Sequence, residues 1–206
     1  MRSNYDSQLN ELHRLLSLMS AACSRAIAMS IKALEESDLA MASKLAALDD
    51  EIDRYQRDIQ SLCLRLILRE QPVAADLRQI SAALKMITDL ERIGDQAEDI
   101  AEIIPHLNGR TGSECKVLHP MAETAISMVT DCIEAYSDKD AALAAEVIAR
   151  DDVVDNYFVQ VRDMLVNMIS GDKSSAEYVL DLLMIAKYLE RIGDHATNIA
   201  ELINTL

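Results

Sequence analysis

The chain has 206 residues with half of them hydrophobic, enough to bury a sizeable core and too apolar for disorder. Five glycines, three prolines, one Phe and no Trp, against abundant Ala, Leu, Ile and Met, suit helices and starve sheets, so an all-α fold is expected. A net charge of −15 repels a phosphate backbone and an anionic bilayer surface, which argues against nucleic acid and lipid as charge-driven partners.

In chain order, helical periodicity predicts a first segment over 4–36, ended by Glu36-Ser37-Asp38, where Ser37 or Asp38 can cap the next helix. A second runs over 39–70 to the break Glu70-Gln71-Pro72. A third runs over 73–104, with Pro72 placed where a first-turn proline is tolerated. Pro105 and a polar stretch holding Gly109 and Gly112 then mark a boundary, giving a first unit over 1–106, a linker over 107–114 and a second unit over 115–206. The second unit predicts segments over 115–136, 139–170 and 174–205, with breaks at Ser137-Asp138 and Gly171-Asp172-Lys173.

The two units are copies. Leu90-Glu91-Arg92-Ile93-Gly94-Asp95 returns as Leu189-Glu190-Arg191-Ile192-Gly193-Asp194 within a 15-residue stretch that is identical at 11 positions. The register between copies is 102 residues at the second helix (Asp53 against Asp155) and 99 at the third (Glu91 against Glu190), so three residues are lost at the intervening turn. The expected fold is therefore two tandem, pseudo-symmetric three-helix bundles of long antiparallel helices, each helix about 45 Å long, placed end to end or side by side.

What the copies retain beyond packing residues is acid. On a helical wheel Leu90, Ile93, Ala97, Ile100 and Ile104 form an apolar stripe, while Glu91, Asp95, Asp99 and Glu102 cluster far from it; Glu190, Asp194, Asn198 and Glu201 repeat the ladder. Asp49 and Asp53, matched by Asp151 and Asp155, add a second i, i+4 pair on the preceding helix of each unit. Like charges at that spacing weaken a helix by a few tenths of a kcal/mol per pair. The acids are then either a solvated surface, softened by Arg92 and Arg191, or oxygen ligands for cations held between two helices.

Gly94 and Gly193 inside the motif cost about 0.5–1 kcal/mol each in helix propensity, which points to close helix approach. The residues three after Glu91 and Glu190 are these glycines, so the Glu-x-x-His pair of di-iron oxidases is missing, and His195 is expected to cap or face solvent rather than ligate. Cys23, Cys63, Cys115 and Cys132 form no C-x-x-C pair and read as small buried hydrophobes. No phosphate loop, nucleophile elbow or Cys/His pairing occurs, so enzymatic function is disfavoured. No leader sequence and no run of about 18 apolar residues is found, so a cytoplasmic protein without a transmembrane segment is expected.

The duplicated unit carries Asp49-Asp50-Glu51-Ile52-Asp53, the stretch from Arg69 through Gln71-Pro72-Val73 to Arg78, the run Ala82-Ala83-Leu84-Lys85, and Leu90 to Asp95. Across nearly its whole length the chain resembles the PhoU family of phosphate-transport regulators. The resemblance implies surface clusters of iron or zinc, with other divalent cations also possible. The ligands would be Asp49, Asp53, Glu91 and Asp95 in the first site, and Asp151, Asp155, Glu190 and Asp194 in the second. It also implies a negative regulator of phosphate uptake, a homodimer that couples the phosphate-specific ABC transporter to a membrane sensor histidine kinase. The second copy departs at Gly171-Asp172-Lys173-Ser174 and at Asn198, which suggests weaker or sparser metal there. A metal-dependent phosphatase or oxidase using the same carboxylates is the competing expectation.

Overall fold

The computed structural model describes residues 2–70, 72–171 and 176–204. It is all-helical among them: α1 (Arg2–Glu36), α2 (Leu39–Ala42), α3 (Leu45–Glu70), α4 (Ala74–Ile103), α5 (Ser113–Lys116), α6 (His119–Asp138), α7 (Ala141–Gly171) and α8 (Ala176–Ile203), with a 3₁₀ turn over Ile104–Leu107. The six long helices are the predicted six, arranged as two bundles, α1–α3–α4 and α6–α7–α8.

The bundles lie side by side. α1 packs on α6 and α4 on α8, which leaves α3 and α7 at the two outer edges. One continuous core runs through both halves, including the fully buried Leu16, Met19, Ile52, Leu90, Met128 and Leu189. Each such side chain contributes about 1.5–3 kcal/mol when taken out of water. Polar bonds also cross between halves: the Ser20 hydroxyl donates to the Val129 carbonyl (3.1 Å) and the buried Tyr136 hydroxyl to that of Gln79 (3.0 Å). α1 is long and apolar enough in composition to cross a bilayer, yet Leu12, Leu16, Met19, Cys23 and Ile27 on it are wholly buried, so packing accounts for its apolarity.

The turns repeat as the helices do. Ser37 and Lys139, 102 residues apart, both adopt left-handed backbone (φ 53° and 57°). The following amides, of Asp38 and Asp140, donate back to Ala33 and Ala135 (2.9 Å each), closing the helix ends. Asp38 then caps α2 by accepting from the Met41 amide (2.9 Å), and Asp140 caps α7 by accepting from Ala142 and Leu143 (2.9 and 3.0 Å). The second break is thus at Lys139-Asp140 rather than Ser137-Asp138, because the left-handed residue sets where the next cap can stand. Replacing Asp140 with Ala is expected to lower stability by about 1 kcal/mol in urea denaturation; an unchanged midpoint would show that the cap is dispensable.

Other boundaries shift for local reasons. The 39–70 segment divides at Ser43-Lys44, where the Ser43 hydroxyl bonds the Ala40 carbonyl (3.0 Å) and competes with helical continuation. Pro72 precedes the cap residue Val73 and so stands before α4, not in its first turn. Gln71 and residues 172–175, which carry much of the two predicted turns, lie outside the described residues. At the middle boundary α4 gives way to the 3₁₀ turn containing Pro105, followed by left-handed Asn108 and Gly109 (φ 52° and 76°).

Candidate metal centre

At Gly94 and Gly193 the outer helices closely approach α4 and α8. A Cβ on Gly94 would stand 2.8 Å from Ile52 Cδ1 and 3.5 Å from Asp49 Oδ1; one on Gly193 would stand 3.3 Å from Val154 Cγ1 and 3.4 Å from Asp151 Oδ1. The absence of a side chain therefore lets a carboxylate of the neighbouring helix settle against the backbone. This arrangement occurs once in each half, and it turns two i, i+4 pairs into one seam.

In the first seam burial raises the pKa of Asp49, reinforced by the charges of Asp95, Asp53 and Asp50, and raises that of Glu91, reinforced by Asp95. In the second, burial raises Asp151, reinforced by Asp194 and Asp155, and raises Asp194, reinforced by Glu190. The structure thus brings Asp49, Asp53, Glu91 and Asp95 together, and likewise Asp151, Asp155, Glu190 and Asp194. They lie at the surface of the α3–α4 and α7–α8 seams, outside the core as the helical wheel places them: Asp155 and Asp194 are exposed and the other six are half-buried against the opposing helix. A wheel for one helix finds its core stripe but not the second neighbour that covers its flank.

The donor set is hard carboxylate oxygen throughout, and Asp49 Oδ1 is buried without a hydrogen-bond partner, both of which suit a cation. Arginines meanwhile hold the outer acids: Arg57 reaches Asp53 (3.1 Å) and Arg92 reaches Asp95 (2.9 Å). Among the described residues, no three acid, His or Cys side chains already surround a single cation position. A cation would have to draw Asp53 and Asp95 from these exposed pairings, whose worth is only about 0–1 kcal/mol each.

Glu98 belongs to the first seam, although the helical wheel did not single it out. Burial raises its pKa, with Asp49 the largest neighbouring charge. Its i+3 spacing from Asp95 was the available signal. The corresponding residue in the second seam is Thr197, whose hydroxyl favours the charged form of Asp151. The second seam also holds Lys187, ion-paired to Glu190, where the first has Thr88. The asymmetry between seams therefore rests on Glu98/Thr197 and Thr88/Lys187 rather than on Asn198, which turns toward α4, 3.4 Å from Asp89.

His195 neither caps nor faces solvent. Its Nδ1 lies 2.9 Å from Asp89 Oδ1, joining α8 to α4 across the two halves. All four cysteines are buried, as expected, and burial pushes the Cys63 thiol up to about 12.

The raised carboxylates fix a pH dependence. Each binds protons more readily in the folded chain, so its stabilising contribution is complete below the ordinary carboxylate range and is lost as pH rises through the elevated folded value. In chelator, wild type is expected to lose stability relative to an Asp49→Asn/Asp151→Asn variant as pH goes from acidic to neutral. Parallel urea-midpoint curves for the two proteins across that range would contradict this.

These features define a tandem helical-bundle protein with a carboxylate seam repeated in each half. The chain belongs to the PhoU family: the PhoU domain matches it twice, over residues 16–104 and 118–203. It is 40% identical over 202 residues to a phosphate-specific transport system accessory protein PhoU homolog of Clostridium acetobutylicum, covering 97% of this chain and 92% of that one. A homolog of the same name from Borreliella burgdorferi is 35% identical, over 84% and 81%. Its fold is similar to the crystal structure of PhoU from Pseudomonas aeruginosa, with a TM-score of 0.90 at 31% identity over 97% and 96% of the two chains. It is also similar to that of the phosphate transport system regulatory protein PhoU from Streptococcus pneumoniae, with 0.87 at 26% over 97% and 94%.

Proposed function

We propose that the chain is an accessory regulator of phosphate transport, a cytoplasmic, dimeric adaptor that restrains uptake through the phosphate-specific ABC transporter and its sensor histidine kinase. The observation carrying this reading is the near full-length match, in sequence and fold, to proteins named for that transport system. The side-by-side bundles offer long exposed helices and no deep catalytic cleft is needed for such a role.

The two seams are its cation sites. Asp49, Asp53, Glu91, Asp95 and Glu98 would hold metal in the first, and Asp151, Asp155, Glu190 and Asp194 in the second, iron or zinc being the expected metals. Bound metal would supply the positive charge that these mutually repelling carboxylates lack. With Glu98 present and no lysine equivalent to Lys187, the first seam is the tighter site. Relieving the repulsion stiffens each outer helix against its partner, which couples metal loading to the shape that a transporter or kinase meets.

Deleting the gene in its host and measuring phosphate uptake under phosphate-replete conditions tests the reading. Uptake is expected to rise several-fold and to return to normal when the wild-type chain is restored. Uptake unchanged by the deletion would contradict it.

A further inference from the structure

Two clefts lie in tandem between the antiparallel helices α1 and α6, and the duplication makes one the counterpart of the other. At the 102-residue register of the turns, Glu35, Glu123 and His119 of one cleft correspond to Ser137, Ala21 and Ser17 of its mate. Ala122 and Ile126 correspond likewise to Ser20 and Ser24, and Ile31 to Ile133. The clefts are similar in size, about 650 and 500 Å³, but their linings have diverged. The smaller is a trough of hydroxyls, with Glu134 the one charged side chain among the described residues that line it. The packing of α1 on α6 therefore requires neither the apolar nor the charged lining of the larger.

In the larger cleft the buried Ile31 and Ala122 make the floor, and the exposed Ala28 and half-buried Ile126 the walls. Carboxylates rim it. His119 stands between Glu35 on α1 (3.1 Å from Nδ1) and Glu123 on α6 (3.4 Å from Nε2). A neutral imidazole has one N–H and can satisfy only one of them. Glu36, more than half exposed, is held only at 3.9 Å by Lys32. Three carboxylates against Lys32 and at most a protonated His119 leave the rim net negative. Arg150 donates to Ser127 at one margin (3.2 Å), but it is itself paired with Asp131 and Glu146.

We propose that this cleft docks an arginine-bearing amphipathic helix of a partner protein. A trough between two antiparallel helices accepts a third along its length, with apolar anchors at i, i+3 and i+4 seated on Ile31, Ala122 and Ile126. Guanidinium groups flanking those anchors would meet Glu36 and whichever of Glu35 and Glu123 the imidazole leaves unsatisfied. The cleft spans eight residues of each helix, about 12 Å, which matches two to three turns of the guest. An anionic bilayer would be repelled by the same rim and by the acidic chain as a whole. The proposal goes beyond the phosphate-transport reading, and the cleft shares no residue with either carboxylate seam.

The test is fluorescence anisotropy of the whole protein with a labelled synthetic helix of about three turns, leucine on one face and arginine on the other, held helical by a side-chain lactam because so short a helix is marginal in water. A scrambled peptide of the same composition is the comparison. The amphipathic peptide is expected to bind at least about tenfold more tightly than the scrambled one, and more weakly at high salt. Glu123→Lys should weaken it by about tenfold or more, whereas Glu134→Lys, the same charge reversal in the mate cleft, should change it by less than about twofold. Ile126→Ser, which gives the cleft the residue its mate has at Ser24, should also weaken it by about tenfold. Circular dichroism checks that the variants remain folded. Absence of binding, equal binding of the scrambled peptide, or equal weakening by the two lysine variants overturns the proposal, the last two by showing only general attraction to an acidic chain. So does sedimentation of a dimer that Glu123→Lys and Ile126→Ser dissociate while no peptide binds, which reassigns the cleft to a second copy of the chain.

Discussion

Gly94→Val is expected to destabilise the chain by about 2–3 kcal/mol, a fall in Tm of roughly 5–10 °C for a protein of this size. Even the Cβ would stand 2.8 Å from Ile52 Cδ1, and the branched methyl groups would press on Ile52 or on the Asp49 carboxylate beside it. Ile52 is fully buried and cannot retreat without disturbing the core around it. The outer helix must therefore move away from α4, taking Asp49 and Asp53 from Glu91 and Asp95. The second half supplies the control, since Val154 stands where the first has Ile52. Gly193→Ala meets its nearest atom at 3.3 Å and gains about 0.5–1 kcal/mol of helix propensity, so it should be close to neutral. Gly94→Ala should be worse than Gly193→Ala, and Ile52→Val should narrow the difference by removing the offending Cδ1. Equal urea midpoints for the two alanine variants would show that the close approach at Gly94 is not limiting.

Removing charge from both seams should act in opposite directions with and without metal. In chelator at neutral pH, Glu91→Gln/Asp95→Asn/Glu190→Gln/Asp194→Asn is expected to be more stable than wild type by about 1 kcal/mol, because relief of mutual repulsion outweighs the loss of the exposed Arg92–Asp95 pair and of the more sheltered Lys187–Glu190 pair. With zinc or ferrous iron added, wild type should gain about 2.7 kcal/mol per site at a metal concentration of about 100 times Kd, and the variant should gain little. The order of the two melting curves then reverses on adding metal. A purely structural role for the acids predicts no such reversal, since Lys187 and the arginines would be present under both conditions.

The helical architecture was legible from sequence because its signals are local: 3.6-residue apolar stripes, a polar linker with Pro105 and Gly109, and an acid at Asp38 able to cap; the matching cap at Asp140 was not singled out. The seam residues were legible because duplication separated what was retained from what packing alone requires. Their burial was not legible, since whether Asp49 faces water or Gly94 depends on which helix lies beside α3. For the same reason Glu98 was overlooked and Asn198 was given a part in the second seam that its contact with Asp89 does not support. His195 had no partner within its own helix to betray it; Asp89 lies 106 residues away and is adjacent only because the halves pack side by side. The Ser43-Lys44 break rests on a hydroxyl-to-carbonyl bond that a non-interrupted apolar pattern does not advertise.

The most direct measurement is elemental analysis of protein purified without chelator or affinity metal, beside the four-carboxylate variant. The account predicts at least one equivalent of iron, zinc or another divalent cation per chain in wild type, and its loss from the variant. Metal-free protein in both preparations, or metal retained by the variant, would contradict it and return the seams to plain solvated acid.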